Sequence, residues 1–425
     1  MAHHEMASSL GITVDEMKQM ERGMTVCSAE RLAGIRHILN AELLPLTDDE
    51  ISAFRERLYI WRDMIRNRKI DEAKDLQGKI AGIVDLDVDF ELVSLYRMFE
   101  ITLLIVQGDF SKAASKLDSS DKALMETESQ YYYFRNKGTL NILTNKFEDA
   151  LTSFSQALEI GKSEECILKD DDSIYFNIAL CYHNLHLPNH AIRFLEESER
   201  ERTDRTSTFG WHIDCILAVN YIRVRQLPEA EVLLQKCLTY AEASDDNSLI
   251  AMTLHNFGFM HQTSENWLLA IGCYNRASEL HDYGTVLYLD SLYGNIRCCI
   301  ELGDYTKSAQ LLEVFSEHLS ESKNSQLSSG SKPLYATLHE SLICLMFISR
   351  DKVDANNNRT LGSMADFIMD KAVPLLIDEY RYTHAIDFCE ILSQFFEKTN
   401  TLDKALAIKN IAMDIYKKML YHRRN

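Results

Sequence analysis

Proline and glycine are scarce, with 5 and 16 copies in 425 residues. Strand-and-turn folds need such breakers at short intervals, so their shortage argues for long helices. No apolar run reaches the roughly 18 positions of a bilayer crossing, and no basic-then-apolar leader opens the chain. A soluble, cytoplasmic protein with no membrane contact is expected. The ten cysteines (Cys27, Cys166, Cys181, Cys215, Cys237, Cys273, Cys298, Cys299, Cys344, Cys389) include no C-x-x-C pair, which points to reduced thiols rather than a disulfide framework or a zinc site. Basic residues are also short: the net charge of -19 excludes a protein that coats nucleic acid over its whole surface, but leaves room for a small DNA-contacting module. No phosphate loop, H-E-x-x-H, G-x-S-x-G or dinucleotide fingerprint occurs. His183, His186 and His190 crowd one turn without a completing Cys or carboxylate set. No catalytic residue, metal or cofactor is expected, and the chain does not read as an enzyme.

What is present is a repeat. A helical stretch, a short turn with Gly, Asn or Pro, a polar residue and then Ala opening a second apolar helix recur at Ala73, Ala113, Ala150, Ala191, Ala230, Ala270 and Ala309, spaced 37 to 41 residues apart, with a last copy at Ala405. A small residue lets two antiparallel helices approach closely without weakening either. Apolar residues follow at helical intervals, as in Ala150, Phe154, Ala157 and Leu158, giving each second helix a stripe that only a neighbouring hairpin can cover. The expected fold is all-α, a right-handed superhelix of hairpins with first helices lining its concave face. Lys137-Gly138, Ala150, Phe154 and Ala157 resemble the tetratricopeptide pattern in a divergent, long-helix version. Residues 320–333 (SESKNSQLSSGSKP) and 351–360 (DKVDANNNRT) read as loops, and the helices that follow, ending at Tyr421, as a terminal cap. The expected division is 1–45, a helix-turn-helix; 46–320, the array; 321–333, a loop; and 334–425, C-terminal repeats and capping helices.

The first 45 residues have another grammar. Ala7 and Leu10-Gly11-Ile12 suit a helix crossing followed by a left-handed turn. Thr13 then caps a helix with Met17 and Met20 turned inward, ending at Glu21-Arg22-Gly23, and a further helix carries Leu32, Ile35 and Leu39. This resembles the DNA-binding domain of phage-repressor-like regulators, whose first helix would fall before Met1. The resemblance implies that Thr13, Val14, Lys18 and Gln19 lie on or near a recognition helix, with Arg22 near the phosphates. Against this, Lys18, Arg22, Arg31 and Arg36 are outnumbered by Glu5, Asp15, Glu16, Glu21, Glu30 and Glu42, so a degenerate domain serving only packing or dimerisation stays open.

Fourteen residues before Ala150, Ala191, Ala270 and Ala309 stand Asn136, Asn177, Asn256 and Asn295; in the copy headed by Ala230 the slot is Ile216, with Asn220 one turn further on, and earlier copies carry Tyr59 and Phe99. Amides on successive helices match the main chain of an extended peptide, and Arg135, Lys137, His255 and Arg297 are placed to meet a carboxylate. The alternative is that each Asn bonds its neighbouring helix and fixes the stacking.

A repressor-type N-terminus joined to a long-helix array resembles the peptide-sensing regulators of Gram-positive bacteria, the Rap, Rgg, NprR, PlcR and PrgX group. The resemblance implies a concave site for a short signalling peptide, a backbone clamp at Asn136, Asn177, Asn220, Asn256 and Asn295, a homodimer formed through the repeats, and a transcription regulator that binds DNA. A Rap-like adaptor that binds a partner protein and leaves DNA alone is the second expectation.

Overall fold

A computed structural model of the chain describes residues 7–8, 10–21, 48–84, 90–163, 173–201, 208–280, 285–320, 332–350 and 358–421. Every regular element among the described residues is helical. The chain divides into two compact units, Met1–Ile178 and Ala179–Asn425, with the division inside the expected array rather than at its edges.

Unit 1 begins with α1 (Val14–Glu21) and continues through three hairpins: α2 (Asp48–Arg66) with α3 (Ile70–Val84), α4 (Phe90–Val106) with α5 (Phe110–Asp118), and α6 (Thr127–Leu143) with α7 (Phe147–Ser163). It ends in the first residues of α8 (Ser173–Asn184). In unit 2 the rest of α8 is followed by α9 (Pro188–Glu201), then α10 (Thr208–Arg223) with α11 (Leu227–Ala243), α12 (Asn247–Thr263) with α13 (Trp267–Leu280), and α14 (Val286–Leu302) with α15 (Tyr305–Ser320). Next come α16 (Lys332–Arg350) and α17 (Asn358–Phe367). A π-helical turn (Ile368–Ala372) carries α17 into α18 (Val373–Asp378), and α19 (Tyr382–Lys398) and α20 (Leu402–Tyr421) close the unit.

The turns explain the repeat. Arg68, Gly108, Asn145, His186, Arg225, Glu265, Gly303, Tyr380 and Asn400 all take positive φ. In each turn two amides fold back on the preceding helix, as when Asn145 N donates to Ile142 O at 3.0 Å and Lys146 N to Asn141 O at 2.9 Å. This satisfies carbonyls that the end of a helix leaves orphaned. Five residues after each left-handed residue comes the crossing position. Ala73, Ala113, Ala150, Ala191, Ala230 and Ala270 there are fully buried, as expected.

Two corrections follow from the same count. Five residues after Gly303 stands Ser308, which is fully buried, while Ala309 is only half-buried. Hydroxyl for methyl shifted the reading of this copy by one residue, and the Ser308 Oγ is satisfied by donating to Asp304 O at 2.9 Å. Tyr380 and Asn400 lead to Ala385 and Ala405, both buried. So α19 opens like a repeat second helix, at a copy the alanine count did not mark within the expected C-terminal repeats and capping helices. Phe315, Tyr335, Leu345, Phe388 and Phe396 form a single apolar core through this part of the chain. The expected loops at 320–333 and 351–360 fall largely outside the described residues, but α16 already begins at Lys332 and α17 at Asn358, so their ends are helical.

Aromatic side chains fill the gaps left by first-helix glycines. A Cβ on Gly138 would come within 2.7 Å of the Phe154 ring. Tyr274 lies between Gly258 and Gly294, each of whose Cβ positions its ring already occupies.

In the N-terminal segment Ala7 is buried and Gly11 is left-handed at φ 65, as the helix-turn-helix reading requires. Thr13 caps α1 reciprocally: its N donates to Glu16 Oε2 at 2.8 Å and its Oγ1 accepts from Glu16 N at 3.1 Å, a capping box. Met17 is buried and Met20 half-buried. Arg22 and the expected following helix lie outside the described residues.

Candidate functional site

Four of the five candidate amides make hydrogen bonds within their own units, where the sequence reading has them clamp a peptide. Asn136 is fully buried; its Nδ2 donates to Met98 O at 2.9 Å and its Oδ1 accepts from Thr102 Oγ1 at 2.9 Å. Asn220 donates to Ile216 O at 2.7 Å and His183 Nδ1 at 2.9 Å. Asn256 donates to Cys215 Sγ at 2.9 Å, and Asn295 to Asn275 Oδ1 at 2.5 Å. Stacking, the alternative reading, fits these bonds. The physical reason is that a first-helix position facing the preceding repeat has no solvent to meet, so a planar amide there finds a carbonyl or thiol instead. Asn295 also stands one residue off the ladder: counted from its left-handed turn residue, the equivalent slot is Gly294, under Tyr274.

Asn177 differs. It is half-buried, and no hydrogen bond holds its amide among the described residues. Flanking Asn136, Arg135 is half-buried and donates through Nη2 to Ser173 Oγ at 3.1 Å, while Lys137 is exposed. His255 is occupied: Nδ1 lies 2.9 Å from Ser291 Oγ and the ring packs on Tyr274. On α1, Lys18 and Gln19 are exposed, Val14 is half-buried, and Thr13 serves as the cap. Asp15 stands exposed beside them.

Unit 2 holds a second polar assembly, most of which sequence reasoning missed. It gathers His183 and His186, Arg223, Asp290, Tyr293 and Arg297, and Arg381, His384 and Asp387. Arg381 Nη1 lies 3.7 Å from Asp290 Oδ2 and its Nη2 donates to Tyr335 Oη at 3.4 Å, while Tyr335 Oη donates to Asp290 Oδ1 at 2.8 Å. Arg297 Nη2 pairs with Glu301 Oε1 at 3.0 Å. Arg223 Nη1 donates to His183 O at 2.8 Å and approaches His183 Nδ1 at 3.3 Å. With Asn220 and Arg223 both offering donors, His183 Nδ1 acts as an acceptor on a neutral ring.

The electrostatics follow from enclosure. Desolvation, with the Arg223 charge second, holds His183 and His186 well below the usual histidine range. His384, packed on Tyr293 at 4.7 Å between ring centroids, is lowered to about 3 by desolvation and then by Arg381. Desolvation raises Asp387 to about 6 in spite of Arg297, and lowers Arg223 to about 10, with Arg381 adding to the effect. Desolvation would lower Arg297 too, but Tyr293, Asp387 and Glu301 outweigh it and the guanidinium is held charged. Among the described residues, Arg223 Nε, Arg297 Nε and Nη1, and Tyr293 Oη have no hydrogen-bond partner. Arg297 was singled out from the sequence; Arg381 and His384 were not, because the copy headed by Ala385 went unseen. The described cysteines are all free thiols. Among the described residues no helix is long and apolar enough to cross a membrane.

No protein-family profile matches the chain. The transcriptional activator NprA of Geobacillus stearothermophilus is 20% identical over 427 residues, covering 96% of this chain and 98% of NprA. The regulatory protein RapD of Bacillus subtilis (strain 168) is 21% identical over 263 residues, 60% of this chain and 73% of RapD. Among solved structures, the apo form of the quorum sensor NprR from B. thuringiensis superposes with a TM-score of 0.67 at 18% identity, covering 86% of this chain and 99% of NprR. The chain is thus similar to the NprA and Rap regulators in sequence and shares the fold of NprR. NprR in complex with its cognate peptide NprX gives a TM-score of 0.62 at 19% identity, with 86% of this chain and 99% of that chain covered.

Proposed function

We propose that this chain is a non-enzymatic, peptide-responsive transcription regulator of the cytoplasm, binding a short signalling peptide in its repeats and DNA through its N-terminal segment as a homodimer. The observation that carries the reading is the end-to-end alignment with NprA, a transcriptional activator, joined to the fold shared with peptide-bound NprR. The capping box of α1, the left-handed Gly11 and the buried Ala7 support a helix-turn-helix. Asn177 remains the amide available to a peptide main chain. Leu402, Leu406, Met413 and Tyr416 leave an exposed apolar stripe along α20, the kind of face a dimer covers.

One observation favours the adaptor reading instead. Lys18 is the lone base on α1, against Asp15, Glu16 and Glu21, so phosphate attraction there is weak. Selection of random duplex DNA by the full chain, with and without a random heptapeptide pool, decides between them. Enrichment of a defined sequence, lost in Lys18→Glu, supports the regulator. Peptide retention with no DNA enrichment supports the adaptor. Retention unchanged by Asn177→Ala removes that amide from the peptide site.

A further inference from the structure

The polar assembly of unit 2 is more than the folding of the array requires. Hairpin stacking is served by alanines, glycines and rings; nothing in it calls for three arginines collected from α10, α14 and the turn before α19. Their enclosure is real, since Arg297 is only 8% exposed, yet Arg223, Arg381 and His384 keep part of their surface open to solvent. Among the described residues Arg223 bonds only the neutral His183, and no carboxylate pairs with it. Arg297 uses a single nitrogen on Glu301 and leaves Nε and Nη1 without acceptors. An enclosed guanidinium with unused N–H groups is costly to keep, which is tolerated where a ligand supplies the missing acceptor.

We propose that Arg223 and Arg297, with Arg381 beside them, form a receptor for a carboxylate group. This rests on the peptide reading above, in that the carboxylate is carried by the peptide, at its C-terminus or on an acidic side chain. Planar guanidinium forks match a carboxylate. A phosphate dianion fits less well, because Asp290 and Asp387 stand in the same assembly and would repel a second charge. The three arginines act together: each depresses His384, and Arg381 depresses Arg223, so a negative group among them relieves mutual repulsion. Arg297 and Asp387 of α19 also act on each other electrostatically, so a charge bound there bears on how the last hairpin is held.

The test uses the full chain and three random heptapeptide pools: one free of Asp and Glu and C-terminally amidated, one of the same composition with a free C-terminus, and one amidated with a single Asp placed at each position in turn. Peptide retained through gel filtration is counted by mass spectrometry. The expected result is about tenfold preference for a carboxylate-bearing pool, the size of a charge-assisted bond, lost in Arg297→Met and in Arg223→Gln. Should those variants fail to fold, Arg223→Lys, which keeps the charge but not the fork, gives the same reading. The favoured pool distinguishes terminal from side-chain carboxylate. Equal retention of all pools, or a preference that survives the substitutions, overturns the receptor and leaves peptide binding standing. No retention from any pool overturns the peptide reading instead. The receptor is then decided by melting in acetate against chloride at equal ionic strength. A rise in acetate absent from Arg297→Met supports it, and no difference overturns it.

Discussion

Substituting Gly294 with alanine tests the packing logic of the repeats directly, because general helix preference and this structure give opposite signs. Alanine in place of a mid-helix glycine normally stabilises by about 1 kcal/mol. At Gly294, however, the new methyl would sit 2.7 Å from Tyr274 Cε2, 2.8 Å from Cε1, and closer still to Cζ. The ring cannot easily give way. Tyr274 is 2% exposed, its hydroxyl donates to Gln262 Oε1 at 2.8 Å, and Gly258 presses on its other side. Overpacking of this kind costs about 1–3 kcal/mol, and pulling the hydroxyl off Gln262 adds about 1 more. After the helix gain is subtracted, a net loss of about 1–3 kcal/mol is expected. Urea denaturation followed by fluorescence measures it. Gly272→Ala, on α13 with nothing within 4 Å of its Cβ, is the control and should gain about 0.5–1 kcal/mol. In a Tyr274→Leu background the Gly294→Ala loss should shrink to near zero, since the clashing ring is gone. A Gly294→Ala chain as stable as wild type, or a loss unchanged by Tyr274→Leu, would refute the claim that glycine is required there by the ring.

Acid should destabilise the chain as pH falls from about 6.5 toward 3, because unfolded histidines take up protons that His183, His186 and His384 refuse in the folded state. Each such proton is worth about 1.4 kcal/mol per pH unit. Asp387 works the other way: raised to about 6 from 3.8, it burdens the fold above pH 6 and is relieved as pH falls toward 3.8. His384→Gln should therefore flatten a plot of stability against pH, and Asp387→Asn should steepen its acid limb while raising stability at pH 8. Slopes unchanged by these substitutions would show that these groups are solvated in the folded state. Asn136→Ala should lower stability by about 1–3 kcal/mol, since it removes the buried bonds to Met98 O and Thr102 Oγ1, while leaving retention of the heptapeptide pools unchanged. A loss of retention at full stability would return this amide to the ligand site.

The repeat was legible because its crossing residue is constrained by backbone contact, so alanine recurs with little freedom to vary. Legibility ended where the same constraint was met by another chemistry. Ser308 fits the gap as well as alanine does, and Tyr380 bends the chain where glycine or asparagine usually would. Counting from alanine therefore shifted one rung and hid a whole copy. The amide ladder showed which positions are equivalent but not which way they point, since an amide bonding Met98 O and one bonding a guest look alike in a sequence. The unit 2 assembly was hidden for a further reason. Its members are drawn from turns and helices nearly 200 residues apart, as in the contact of His186 Nδ1 with Thr383 Oγ1 at 3.4 Å, a sequence separation of 197, and no local spacing encodes that meeting.

That last contact changes the mechanics of unit 2. An array in which each hairpin touches only its neighbours behaves as a spring, soft along its length and free to lose end pieces one by one. Where the opening turn also grips the closing hairpin, through His186 on Thr383 and on the Tyr382 ring at 5.4 Å, the spring becomes a hoop. A hoop resists fraying and yields as a whole, so anything that widens or tightens it at one point is felt around the circumference.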